Sequence, residues 1–157
     1  MPNILFTNAC NRQCPYCFAK EQTADPDSYI DFRDFIRALD FLERSGIKGC
    51  GILGGEPTLH PEFVKLIRYG LNRGFVHNIF SNAVCETLLI EQIETVVEDF
   101  GHDDIKLYFT INLNEESIRS ANEQKCQDEF FRRLNRICRL SFNVWRPDIP
   151  MDFRLNV

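Results

Sequence analysis

The chain opens with a short apolar run that leads directly into three closely spaced cysteines: residues 3–17 read NILFTNACNRQCPYC. Residues 4–6 form a continuous apolar stretch of the kind found in buried parallel strands. The loop that follows places Cys10, Cys14 and Cys17 within eight residues, at the carboxyl end of this strand. Active sites of parallel α/β proteins lie at this end of the strands, so the loop is the first candidate site.

The rest of the chain alternates between strand and helix patterns. Apolar spacing predicts strands at 3–8, 48–53, 75–81, 105–113 and 140–145, and helices at 31–45, 61–74, 86–99 and 124–139. Such alternation predicts an α/β fold with parallel strands joined by right-handed crossovers. A closed eight-unit barrel needs about 250 residues, so we expect a partial, open barrel or a doubly wound sheet.

Composition narrows the class of protein. The 157 residues, 44% of them hydrophobic, suit a single globular domain over 1–157. A net charge of −5 lacks the basic footprint of a nucleic-acid or membrane-surface binder, so neither partner is expected. No secretory signal or membrane span is evident, which predicts a cytoplasmic protein. In that reducing compartment, crowded cysteines usually bind metal or do chemistry.

The fifth predicted strand, 140–145, has few residues after it. Residues 146–157 are too few for another helix and strand. The outer edge of this strand would leave backbone donors and acceptors unpaired. We therefore expect that the C-terminal part of the domain is missing from the sequence, or that an oligomer covers the edge.

The three clustered cysteines allow several interpretations. Soft thiolate sulfur selects zinc or an iron–sulfur cluster. The spacing i, i+4, i+7 is also one helical face, but Pro15 disfavours helix at Cys14. A structural zinc site needs four ligands. Candidates for the fourth are Cys50, Cys85, His60 and His77. Three thiolates with one open position favour a catalytic centre.

Two motifs in this order resemble the radical S-adenosylmethionine (SAM) enzymes. One is the CxxxCxxC loop at 10–17, with Tyr16 before the last cysteine. The other is Gly54-Gly55-Glu56-Pro57, directly after the second predicted strand. The branch with molybdenum-cofactor, peptide-modifying and sulfatase-maturing members is the most similar. The resemblance implies a partial parallel barrel, although the family usually has six core strands and this chain offers five.

The resemblance also implies a cofactor set and roles for residues near the strand ends. Cys10, Cys14 and Cys17 would hold three irons of a [4Fe–4S] cluster, leaving the fourth iron for SAM. Glu56, with Gly54 and Gly55 allowing close backbone approach, would hold the SAM ammonium.

Further residues are expected around the nucleoside part of SAM. Tyr16 and Phe18 would flank the adenine. The Ser81-Asn82-Ala83 stretch resembles the Thr/Ser-Asn-Gly of the family. Polar side chains expected to bind the ribose and carboxylate are Ser81, Asn82, Thr110, Asn112 and Asn143.

The activity implied is reductive cleavage of SAM to a 5′-deoxyadenosyl radical that abstracts hydrogen from a substrate. It requires an external electron donor, and the substrate is unknown, with a peptide or protein as one candidate. The alternatives are an activase for a glycyl-radical enzyme, a non-catalytic zinc module and a radical SAM domain that serves only as a scaffold. The remaining cysteines, Cys50, Cys85, Cys126 and Cys138, are expected to be small hydrophobic residues.

Overall fold

The computed structural model describes residues 1–15, 17, 19–21, 25–101, 106–113 and 120–144, with the backbone alone at 141–144. The elements are β1 (Asn3–Leu5), α1 (Phe32–Arg44), β2 (Gly49–Leu53), α2 (Phe63–Asn72), β3 (Val76–Ser81), α3 (Thr87–Phe100), β4 (Leu107–Leu113), α4 (Ala121–Leu134) and β5 (Arg139–Val144). The predicted alternation of five strands and four helices is confirmed.

The five described strands form one parallel sheet in the order β1-β2-β3-β4-β5. Spatial order follows chain order without a reversal. A doubly wound sheet reverses its strand order at a switch point, so this topology is that of a partial, open barrel. The predicted fold class is therefore confirmed, and the doubly wound alternative is not.

The two faces of the sheet differ because side chains alternate along each strand. One face carries buried apolar residues that join the helices in a single core. From the strands this core takes Ile4, Ile52, Ile79, Phe109 and Ile111, and from the helices Phe35, Leu39, Leu66, Ile67, Ile93, Val97, Phe130 and Leu134. In register on the other face lie Gly51 and Asn78, then Phe80 and Thr110.

Helix ends follow local capping chemistry. Asp31 precedes α1, and its side chain accepts a hydrogen bond from Asp34 N at 2.8 Å. Ser120 and Glu123 form a reciprocal capping box at the start of α4. These caps satisfy amide groups that the first helical turn leaves free. In the described part of the chain, every helix is too short or too polar to cross a bilayer.

Several predicted boundaries were wrong. Helix α4 starts three residues before the predicted 124, because its capped first turn is polar and carries no apolar signal. It ends at Leu134 rather than 139, and Arg139 begins β5. Strand β1 ends at Leu5 instead of residue 8, although Phe6 N still donates to Leu53 O at 2.8 Å. Helix α2 begins at Phe63 rather than 61. The predicted first residue of the fourth strand, 105, and the predicted last residue of the fifth, 145, lie outside the described residues.

Candidate functional site

The cysteine loop starts where the chain leaves β1, at the carboxyl edge of the sheet. Cys10, Cys14 and Cys17 are free thiols of intermediate exposure. Cys17 N donates to Cys14 O at 3.1 Å, which closes a tight turn between these two residues. The loop thus offers three accessible thiols on one short segment.

The three thiols lie within electrostatic reach of one another. Burial raises the pKa of Cys10, and the negative charges of Glu56, Cys14 and Cys17 raise it further. A hydrogen bond from the backbone N–H of Arg12 acts in the opposite direction and lowers this pKa. Cationic iron would offset the mutual repulsion of the thiolates, so the chemistry of the donor set fits an iron–sulfur cluster.

The described residues contain no group of three His, Cys, Asp or Glu side chains already arranged around a metal position. Most candidates for a fourth zinc ligand have other partners. Cys50 Sγ lies 3.3 Å from His77 Nδ1, both buried within the core. The ring nitrogens of His60 lie 2.8 Å from Ile30 O and 3.0 Å from Glu62 N. A closed four-ligand zinc site therefore finds little support.

The glycine pair after β2 lies directly against the start of the cysteine loop. Gly55 N donates to Thr7 O and Glu56 N donates to Ala9 O, both at 2.7 Å. A Cβ on Gly54 would lie 2.6 Å from Thr7 O, and one on Gly55 would lie 2.2 Å from Ala9 O. Only glycine permits this approach. The sequence predicted close backbone approach for the cofactor, and the structure shows it between the motif and the loop.

Glu56 is buried beneath this contact, with 1% of its surface exposed. Its Oε1 accepts hydrogen bonds from Thr58 N at 3.2 Å, Thr58 Oγ1 at 2.7 Å and Ser81 Oγ at 2.8 Å. Its Oε2 accepts from Asn82 N at 2.7 Å. Burial raises the pKa of Glu56, and these hydrogen bonds oppose the shift. Since Oε2 has one of these four donors, it retains acceptor capacity for a further one.

Ser81 is the last residue of β3, and together with Asn82, which follows it, connects Glu56 to the cysteine loop. Asn82 Nδ2 donates to Asn11 Oδ1 at 2.9 Å, and Asn82 Oδ1 accepts from Val84 N at 2.8 Å. Asn11 Nδ2 in turn donates to Val84 O at 2.6 Å. The two side-chain amides thus hold the spacer between Cys10 and Cys14 against the end of β3.

Ala83, the next residue, has a φ of +58°, in the left-handed region that favours glycine. This position corresponds to the glycine of the Thr/Ser-Asn-Gly stretch named above. Its backbone conformation explains why glycine suits it. Alanine is tolerated here although its side chain is fully buried.

The other predicted polar residues lie on the face of the sheet opposite the apolar core. Thr110 Oγ1 donates to Asn78 Oδ1 at 3.0 Å. Asn112 follows two residues later on the same face of β4, and Asn143 of β5 is its register partner. Tyr16 and Phe18 lie outside the described residues, as does the side chain of Asn143. The structure thus aligns Thr110, Asn112 and Asn143 along one face.

Three residues that shape the site were not predicted from the sequence: Asn11, Arg12 and Gln127. Asn11 and Arg12 are spacers within the cysteine motif, and the motif itself specifies only the cysteines. Gln127 Nε2 donates to Asn82 O at 2.8 Å from the buried face of α4. The signal for Gln127 was a polar residue at helical spacing with Phe130 and Leu134 on the apolar face of the predicted helix 124–139.

Fold and site together define an α/β protein that presents a three-cysteine loop and a buried glutamate at the carboxyl edge of a parallel sheet. A family model, the radical SAM superfamily, matches residues 4–145. The chain belongs to the radical SAM superfamily.

Comparison with individual proteins gives similar results. The chain is 33% identical over 111 residues to the tungsten-containing aldehyde ferredoxin oxidoreductase cofactor-modifying protein of Pyrococcus furiosus, covering 68% of this chain and 29% of that protein. It is 28% identical to the GTP 3′,8-cyclase of Chlorobaculum tepidum, covering 85% of this chain and 39% of that one. The chain thus spans well under half the length of these relatives.

A solved structure supports the fold. The crystal structure of SuiB from Streptococcus suis bound to precursor peptide SuiA superimposes with a TM-score of 0.64 at 18% identity, covering 87% of this chain and 31% of SuiB. The SAM-bound crystal structure of SuiB gives a TM-score of 0.63 at the same identity. At this identity the likeness concerns the fold alone.

Proposed function

We propose that the protein is a radical SAM enzyme that holds a [4Fe–4S] cluster on Cys10, Cys14 and Cys17 and binds SAM beside it. Held by these cysteines and reduced by an external donor, the cluster would supply one electron for cleavage of SAM to methionine and a 5′-deoxyadenosyl radical, which would take a hydrogen atom from the substrate. The protein residues bind, orient and shield these groups.

One observation carries this proposal: the contact of Gly54 and Gly55 with Thr7 and Ala9. It places a buried carboxylate and a three-thiol loop at the same edge of the sheet. A helix-face packing role for the cysteines would not require this close approach. Membership in the superfamily supports the same cofactor pair.

Glu56 is proposed to hold the ammonium group of SAM through Oε2. A cation here would relieve the cost of a buried carboxylate, which its raised pKa reflects. Ser81 and the backbone of Asn82 then act indirectly, because they fix Glu56 by hydrogen bonds. Gly54 and Gly55 hold the turn in place.

The nucleoside part of SAM is proposed to lie along the polar face of the sheet. Thr110, Asn112 and Asn143 are aligned for the ribose and carboxylate by their strand positions. Asn82 contributes through its link to Asn11, and Tyr16 and Phe18 remain our candidates for the adenine.

The substrate class is also a proposal. SuiB, a structural neighbour, has been solved with a precursor peptide, which supports testing a peptide or protein substrate first. An external electron donor is required, and we place the enzyme in the cytoplasm, where its seven free cysteines stay reduced. We propose that residues 1–157 form one core domain.

The test is anaerobic reconstitution followed by reduction with dithionite in the presence of SAM. We expect about four iron and four sulfide per chain and slow release of 5′-deoxyadenosine, measured by liquid chromatography. Cys10→Ala protein treated in the same way is the control and should release none. One zinc per colourless chain would support the zinc module instead. A fully loaded, reduced protein that releases no 5′-deoxyadenosine would support the scaffold.

A further inference from the structure

Arg12 is the one charged residue in the loop 10–17. It lies two positions after Cys10 and two before Cys14, so the chain itself keeps it near both proposed ligands. Its side chain is only 3% exposed. A residue of the cysteine loop thus carries a buried cation.

The guanidinium of Arg12 contacts two elements at the carboxyl edge of the sheet. Its Nε lies 2.6 Å from Glu123 Oε1 in α4, an ion pair whose N–H is not aligned for a hydrogen bond. Its Nη1 donates to Asn112 O in β4 at 3.4 Å. Its Nη2 is buried and donates to no acceptor among the described residues. One side of the guanidinium therefore lacks a hydrogen bond within that part of the chain.

Glu123 is itself held in place. Its Oε2 accepts a hydrogen bond from Ser120 N at 2.7 Å, as part of the capping box of α4. Its side chain is 18% exposed, so it is closer to solvent than Arg12. The ion pair therefore has its positive end on the cysteine loop and its negative end on α4.

A buried ion pair of this kind is weak evidence for a stabilising role, because well-packed apolar residues in its place often make a protein equally stable or more stable. Its place in the loop points to an electrostatic role instead. The backbone N–H of Arg12 also donates a hydrogen bond to the Cys10 thiol. Hydrogen bonds to cluster sulfurs and nearby charge are two of the factors that set cluster potentials.

We propose that Arg12 and Glu123 together set the reduction potential of the cluster, with Arg12 favouring the reduced form and Glu123 limiting its effect. This inference rests on the proposed function above. An electron from the external donor adds one negative charge to the cluster. A buried cation stabilises that charge more than an exposed cation would, because the local dielectric is low. Arg12 thus acts on the cluster through its charge.

The test is a redox titration of the reconstituted protein, followed by electron paramagnetic resonance. Arg12→Gln should shift the midpoint potential to lower values. Glu123→Gln should shift it to higher values, while its remaining amide oxygen can still accept from Ser120 N. The double variant should lie nearer to wild type than either single variant. Opposite shifts would not arise from a loop that is merely loosened.

The matched control is Arg132→Gln. It removes an exposed cation from α4, the helix that also carries Glu123, and Arg132 pairs there with Glu129. It should leave the potential unchanged. If Arg12→Gln does not fold, Arg12→Lys keeps the charge without the fork of donors and should shift the potential less than Glu123→Gln does. Shifts of the same sign for Arg12→Gln and Glu123→Gln, or no shift, would overturn this inference. Failure of wild-type protein to bind iron and sulfide would instead overturn the proposed function.

Discussion

Gly55 lies so close to Ala9 that a Cβ on the glycine would be 2.2 Å from the alanine carbonyl oxygen. This contact joins the end of β2 to the residue before Cys10. Backbone groups that directly follow the neighbouring strand β2 thus help to fix the position of the cysteine loop.

We predict that Gly55→Ala destabilises the protein and weakens iron retention, because the loop must move to admit a methyl group. Overpacking of this kind typically costs about 1–3 kcal/mol. Denaturant unfolding and iron analysis measure the two effects. Gly49→Ala is the matched control, since its nearest neighbours would lie 3.7 Å away, at ordinary contact distance. Equal stability of the two variants would contradict the role given to Gly55.

Single replacements of Cys10, Cys14 and Cys17 by alanine should each abolish cluster assembly, because each thiolate is expected to bind a different iron. Iron and sulfide analysis and visible absorbance after anaerobic reconstitution measure this. Cys138→Ala is the control, because this buried thiol belongs to the apolar core and should not affect iron content. Full iron loading in any of the three loop variants would remove that cysteine from the ligand set.

Glu56→Gln should weaken SAM binding without loss of the cluster, because it removes the charge that we propose to bind the ammonium group. Loss of a hydrogen bond to a charged group costs about 1.5–3 kcal/mol, on the order of a tenfold to hundredfold change in affinity. Equilibrium dialysis with labelled SAM on iron-loaded protein measures it. Ser81→Ala removes one hydrogen-bond donor to Glu56 but keeps the charge of Glu56. The affinity of this variant for SAM should therefore change less than that of Glu56→Gln. Normal SAM binding by Glu56→Gln would reject this assignment.

His77 should make folding stability sensitive to acid. Burial lowers the pKa of His77 to about 4, against about 6.5 in an unfolded chain. The folded state thus favours neutral imidazole. The contribution of neutral His77 to the free energy of unfolding is fully present above about pH 6.5. It is lost as the pH falls towards 4, by roughly 3 kcal/mol in total. Urea unfolding of His77→Leu and wild type should therefore show a shallower decline for the variant over this range.

Carboxylates titrate in the same pH range in both proteins, so only the difference between the two curves reports on His77. The leucine variant also lacks the contact of His77 with Cys50 and fills the space beside Gly70 differently. These changes shift its stability by a similar amount at every pH. The prediction concerns the slope alone. Parallel curves between pH 6.5 and 4 would show that His77 does not titrate as its burial indicates.

The order of strands and helices was predictable because apolar spacing reports directly on burial. Helix α1 shows this well, since Phe35, Leu39 and Leu42 recur at helical spacing and are all buried. Helix α4 was misplaced because its start depends on a polar capping box. The pattern Ser120-x-x-Glu123 was present in the sequence, but apolar periodicity alone does not detect it.

The site was predictable to the level of its motifs but not of its contacts. A glycine pair indicates close approach without naming the partner, and here the partner is the backbone at Thr7 and Ala9. The pair Arg12 and Glu123 joins residues from distant parts of the chain. Such pairing depends on the curvature and stacking of the whole sheet, which local patterns do not encode.

The matching of spatial and chain order in the sheet has a consequence for folding and turnover. Each strand pairs with its immediate successor, so each pairing closes only one strand–helix–strand unit and the entropy cost of closure stays small. Such a linear array opens most readily from its outer members. In the described sheet, β1 is an outer strand of three residues, and it leads into the proposed cluster ligands. Opening from this edge would free the segment that leads into the proposed ligands, so limited proteolysis should cut near β1 before it cuts the inner strands.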